Sequence, residues 1–182
     1  MIIMLFGVSN VGKTATGAIL AEKLSYSFYD LDEEIKKKFQ VTLEEFMRQN
    51  PWPYDRCKVK GAVLKEIVQK SEDNAVIAVS PIYYARNFNS LLELDHVVPI
   101  ELQDSAEHIF KRLVFSDEND NIYEDNEYKE EHKDYYLKDI REDIAYARQT
   151  FKRIKWKYSV DNKPVEQVAD ELYEMLRGLN KS

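Results

Sequence analysis

The octapeptide Gly7-Val8-Ser9-Asn10-Val11-Gly12-Lys13-Thr14 constrains this chain more than any other feature, because it fits G-x-x-x-x-G-K-[ST] at every position. Average residue usage places such an octamer by accident in on the order of 1% of chains this long. Its surroundings strengthen the match. The apolar run from Ile2 to Phe6 reads as a buried strand. A helical pattern runs from Lys13 to about Leu24, with Ala18, Ala21 and Leu24 joined by Ile19 and Leu20 on a broad apolar face. In a strand–turn–helix unit the glycines let the backbone curl until successive N–H groups converge on phosphate oxygens. The helix points its positive end at the same place. Gly7, Ser9, Asn10, Val11, Gly12, Lys13, Thr14 and Ala15 are therefore expected to cradle ATP. Lys13, at a solvent-reachable cleft, would bridge the β- and γ-phosphates, and the Thr14 hydroxyl would be a ligand to Mg²⁺.

The remaining pattern alternates strands with helices. Strands are expected at 27–29, ending at Asp30-Leu31-Asp32, at 75–79, at 97–102 and at 157–160. Helices are expected at 33–39, at 43–48 after a Thr42 cap, from about 58 to 70, at 105–113 capped by Ser105, at 135–154 and at 165–179. Asn50-Pro51-Trp52-Pro53 reads as a loop, since paired prolines break helix and strand alike. This alternation predicts a three-layer α/β sandwich, a parallel sheet of about five strands with helices on both faces. One domain over residues 1–182 is expected, with no internal repeat. The acidic, tyrosine-containing stretch at 116–133 lacks a sustained apolar period.

Charge narrows the partners. The net charge is −7 with no Lys/Arg-dense block, so a nucleic-acid surface is not expected. A single cysteine, Cys57, permits no intramolecular disulfide and suits a cytoplasmic setting. The apolar N-terminal run is too short to span a membrane and lacks the marks of a secretory signal. His96, His108 and His132 are too scattered for a metal site. A monomer is expected.

Asp30 and Asp32 follow the second strand, and carboxyl ends of parallel strands share one crevice. Asp30 can hold a water on Mg²⁺, and Asp32 can accept a hydrogen bond or proton from an incoming hydroxyl. The bland alternative is a solvated helix start, where aspartate is also favoured.

On these residues a family resemblance rests. GVSNVGKTATGAILAEKL and FYDLDEEIKKKFQVTLEEF, within Gly7 to Phe46, resemble the first forty-odd residues of a shikimate kinase. The stretch from Val97 through Arg112 resembles that family's strand and helix before its lid. Tyr158 to Asp170 resembles its last strand, adenine loop and closing helix. The resemblance implies a P-loop kinase with a lid at about 114–140, passing a phosphoryl group from ATP to a small hydroxylated acceptor, shikimate by default. Thr14 and Asp30 would serve the metal and Asp32 the acceptor. Arg112 would stack on adenine opposite Lys163 and Pro164, and Arg148 would meet the acceptor's carboxylate.

Three departures accompany the likeness. Ser80-Pro81-Ile82-Tyr83-Tyr84 stands where the family has three glycines, and Ser80 could still reach a metal-bound water. The family's Phe-Arg pair is replaced near Asp55-Arg56-Cys57-Lys58, leaving Arg56 as acceptor candidate, Lys58 as rival, and a solvated helix end as the plain alternative. Asn119 falls where the lid carries an arginine. Arg141 and Arg148, seven apart on one helix face, could supply that charge, or could pair with Asp139, Glu142 or Asp143. Trp52, Tyr54, Tyr83 and Tyr84 fall near the acceptor side. Two other function classes fit the same residues. One is a nucleotide-binding module without kinase activity, its acceptor site rebuilt, the other a hydrolase that directs water to the γ-phosphate.

Overall fold

The computed structural model describes residues 1–71 and 74–179. The first half runs β1 (Ile2–Phe6), α1 (Lys13–Leu24), β2 (Ser27–Asp30), α2 (Leu31–Phe39), α3 (Leu43–Gln49), α4 (Pro53–Lys70) and β3 (Ala75–Ala78). Two short 3-10 turns lead to β4 (Val97–Gln103) and α5 (Ala106–Lys111). A hairpin of β5 (Phe115–Ser116) and β6 (Ile122–Tyr123) follows, then α6 (Asn126–Glu131), α7 (Lys133–Thr150), β7 (Trp156–Ser159) and α8 (Val165–Leu179).

Five strands form one parallel sheet in the order β2-β3-β1-β4-β7. All side chains of β1 and β3 are buried. Since alternate residues face opposite ways, the sheet centre is covered on both faces. The strand order reverses at β1, so the crevice beyond its carboxyl end is the topological switch point where α/β sheets take ligands. Phe6 ends β1 and packs against Phe88 and Phe151 at ring distances of 5.1 and 5.5 Å. Such pairs contribute about 1 kcal/mol each beyond area burial, and they anchor the strand immediately before Gly7.

Several boundaries differ from the sequence pattern for local reasons. Helix α4 begins at Pro53, with proline in its first turn, because proline's fixed φ suits that position and it has no N–H to leave unpaired. The expected loop therefore ends at Trp52, and Arg56 is already helical. Helix α2 starts at Leu31, capped by the Asp30 carboxylate, which accepts from the amides of Asp32 and Glu33. Strands β3, β4 and β7 shift their ends by one residue. Helix α7 stops at Thr150, ahead of the expected 154. The Thr42 and Ser105 caps fall where expected, accepting from Glu45 and His108 amides. In α1 the buried face is Thr16, Gly17, Leu20 and Ala21, while Ala18 is exposed. Gly17 lies so close to Phe28 that an added Cβ would be 2.7 Å from its ring. Close approach, not apolar area, sets that phase.

The acidic stretch holds more structure than its pattern suggested. Asp117 accepts from the amides of Asn119 and Asn121 and turns the chain between β5 and β6. At the tip, Asp120 takes φ +63°. Its carboxylate receives the Leu43 amide at 2.9 Å, at the start of α3, with Lys36 at 3.7 Å. The hairpin thus bridges from α5 across to the α2–α3 corner.

Candidate active site

The loop between β1 and α1 is built by backbone requirements. Gly7 has φ +145°, and a Cβ there would be 2.6 Å from the Leu102 carbonyl oxygen. Gly12 has φ +104° and caps α1 without any side-chain hydrogen bond. The first amides of α1 consequently have no side-chain acceptor and face a hollow of about 160 Å³ lined by Ser9, Lys13, Thr14, Asp30, Asp32 and Ser80. Unpaired amides at a helix N-terminus are an anion site.

Lys13 is buried, contrary to the open cleft expected for it. Its ammonium donates to the carbonyls of Gly7 at 3.1 Å and Val8 at 2.7 Å. Burial lowers its pKa to about 8; Asp32 and Asp30 oppose the shift, and Lys60 adds to it. Between about pH 8 and the ordinary lysine value the unfolded chain holds a proton that the folded chain has lost, so this group makes stability rise with pH. Phosphate oxygens favour the charged ammonium. Nucleotide binding near pH 9 is therefore expected to take up about one proton, and near pH 7 close to none. Calorimetry in two buffers of different ionisation heat measures this; equal uptake at both pH values would remove Lys13 from the phosphates.

Thr14 donates its hydroxyl to Asp30 Oδ2 at 2.6 Å, bringing the two proposed metal residues together. These oxygen donors, beside a phosphate cradle, suit a hard cation that keeps several waters and takes few protein ligands. No cluster of three or more His, Cys, Asp or Glu side chains fit for a metal occurs among the described residues.

Asp32 stands between two spaces. It lines the phosphate hollow and also a neighbouring cavity of about 290 Å³, shared with Phe46, Arg56, Cys57, Lys60 and Tyr83. Arg56 reaches this cavity, but its guanidinium donates to the carbonyls of Asn50 and Pro51. Lys58 is exposed. The cation that meets the expected catalytic group is Lys60, unforeseen in the sequence, whose ammonium lies 3.2 Å from Asp32 Oδ1 and 3.0 Å from Ser80 Oγ. Of the four aromatics expected on this side, only Tyr83 lines the cavity. Trp52 is largely exposed, and Tyr54 packs edge-on against Tyr84 and under Arg86.

The other predicted residues divide between two places. A third cavity, of about 360 Å³, lies beside Val8 and is lined by Asp104, Ser105, Arg148, Ser159 and Asp161. Arg148 is thus on the β4–β7 side and does not line the cavity that holds Asp32. Arg112 donates to the Asn10 carbonyl at 3.3 Å and to Asp104 at 2.6 Å. Asp104 also meets His108 and the Asn162 amide, so it ties Arg112 to the loop before Lys163 and Pro164. Burial would raise its pKa, but the Arg112 and His108 hydrogen bonds outweigh that and hold the carboxyl below its ordinary value. Lys163 itself turns to Glu171 and Tyr158. Arg141 is not brought to the phosphates; it is exposed and pairs with Glu107 of α5 at 2.7 Å, outside the partners its own helix offered.

A glycine-turned phosphate loop at the switch point of a parallel sheet, facing paired aspartates, defines a P-loop phosphotransferase of the small-molecule type. The family model described as shikimate kinase matches residues 9–177, and the chain belongs to the shikimate kinase family. Among its relatives, the shikimate kinase of Flavobacterium johnsoniae is 26% identical over 177 residues, covering 96% of this chain and 98% of that one. That of Bacillus licheniformis is 29% identical over 175 residues, covering 96% and 93%. The solved shikimate kinase of Aquifex aeolicus superposes with a TM-score of 0.73 at 23% identity, covering 99% and 98%. The Acinetobacter baumannii shikimate kinase, solved in complex with shikimate, gives 0.75 at 20% identity, covering 97% and 93%.

Proposed function

We infer that this chain transfers the γ-phosphoryl group of ATP to a hydroxyl of a small acceptor, with shikimate as the default acceptor. The position of Asp32, shared by the phosphate hollow and the adjoining cavity, is the observation that carries the reading. The acceptor oxygen forms a bond to the γ-phosphorus while the bond from that phosphorus to the ADP oxygen breaks. The hydroxyl proton passes to the Asp32 carboxylate. The α1 amides and Lys13 hold the phosphate oxygens and stabilise charge spread over the transferred group. Arg112 and the loop at Lys163 and Pro164 hold the base, fixed relative to one another through Asp104. Thr14 and Asp30 would hold Mg²⁺, which when bound neutralises charge on the β- and γ-oxygens. Arg148, beside Val8, serves the nucleotide side better than the acceptor's carboxylate. Arg141 reaches the phosphates only after leaving Glu107. A cytoplasmic setting fits the lone cysteine, Cys57, which is free and buried, and a monomer is proposed with it. Among the described residues no helix is long and apolar enough to cross a membrane.

A second reading keeps the nucleotide chemistry and changes the acceptor. It is favoured by Lys60, which lines the cavity beside Asp32 and donates to Ser80 of the phosphate hollow, and by the placement of Arg148 outside that cavity. ADP release with Mg-ATP, measured with and without shikimate, tests both. Shikimate-stimulated ADP is the expected result. Tight ATP binding with no turnover points to the rebuilt site, and slow release indifferent to shikimate points to hydrolysis.

A further inference from the structure

Lys60 is placed where a lysine needs a reason. Its side chain is only 17% exposed, and it joins α4, which carries it, to α2 through Asp32 and to the segment just after β3 through Ser80. Ser80 is itself buried. A partly buried ion pair of this sort is weak support for stability, because desolvation offsets most of the attraction. Its position is better explained by what it faces. An ammonium has three N–H donors, and Asp32 and Ser80 take two. Lys60 lines the cavity next to the phosphate hollow, so the third donor has acceptor-side space to address.

We propose that Lys60 is a positioning and specificity-determining residue, resting on the kinase reading above. By holding Oδ1 it turns Asp32 so that Oδ2 meets the reacting hydroxyl. Its third N–H takes an oxygen on the neighbouring carbon, so the cavity selects a vicinal diol over a lone alcohol. Lys60 exchanges no proton with the substrate; the transferred proton goes to Asp32, and ADP leaves with the electrons of the broken P–O bond.

The test compares wild type, K60M and K60R at saturating Mg-ATP, with shikimate and with its analogue lacking the hydroxyl next to the reacting one. Methionine keeps the stem, and the arginine variant keeps the charge should K60M fail to fold. K60M is expected to lose about a hundredfold in kcat/KM for shikimate, as a misplaced reacting group does, with the Kd for Mg-ATP within about twofold. Its preference for shikimate over the deoxy analogue should shrink, and K60R should recover part of the loss. A K60M enzyme within about threefold of wild type, or one whose Mg-ATP affinity falls as far as its turnover, overturns the proposal. If wild type ignores shikimate, the acceptor reading falls by itself. Lys60 is then judged by its ammonium ¹⁵N–¹H signal, expected to be slowed in exchange by Asp32 and Ser80 and lost in the D32N/S80A double variant. A fast-exchanging wild-type ammonium overturns the positioning role.

Discussion

Replacing Lys13 by alanine is expected to lower kcat by about 10³-fold, the scale of losing one preorganised donor to the charge of the transition state. The fold should survive. Lys13 gives up two hydrogen bonds to the Gly7 and Val8 carbonyls, but the molecule is relieved of a buried ammonium whose pKa is already depressed. These opposing terms leave a net change of within about 1 kcal/mol. A coupled ADP assay beside a urea titration followed by circular dichroism separates the two effects. Activity within about tenfold of wild type, in a folded variant, removes the phosphate loop from the chemistry.

Asp32→Asn is expected to divide binding from turnover. The amide keeps the shape and can still accept from Lys60, but loses the charge that receives a proton. A kcat loss of about 10²–10³-fold follows from removing a general base, with ATP affinity changed less than about threefold, because Asp32 is not part of the amide cradle. Nucleotide titration and steady-state kinetics on one preparation give both numbers. Comparable losses in the two would reassign Asp32 to holding nucleotide or metal.

The phosphate loop was legible because its constraints are local. Glycine at Gly7 and Gly12, an uncapped helix start and a flanking apolar strand can all be read within thirteen residues of chain. The Thr42 and Ser105 caps were legible for the same reason. Lys60 was not. Arg56 and Lys58 came forward only from the place of the family's Phe-Arg pair, and the helix pattern was read from about Lys58 onward. Once Pro53 is taken as a first-turn proline, Arg56 and Lys60 are one turn apart on a common face, with Cys57 and Gly61 buried beside them. That proline was the available signal. Asp104 was hidden differently. Asn162 is remote from it in sequence and Arg112 lies past the far end of α5, and nothing in a short polar pair before a helix announces a hub. The β5–β6 hairpin escaped because two-residue strands carry no period, and Arg141's partner Glu107 lies on another helix.

The tip of that hairpin has a consequence for how the molecule breathes. Leu43 gives its amide to Asp120 and also lines the cavity next to the phosphate hollow. Lifting the tip strips a helix-start amide of its acceptor, which disfavours the opened form by about 1 kcal/mol, roughly a fivefold bias. Hairpin tip and cavity lining are therefore joined through one residue, so that a substitution at Asp120 is expected to be felt at Leu43 as well.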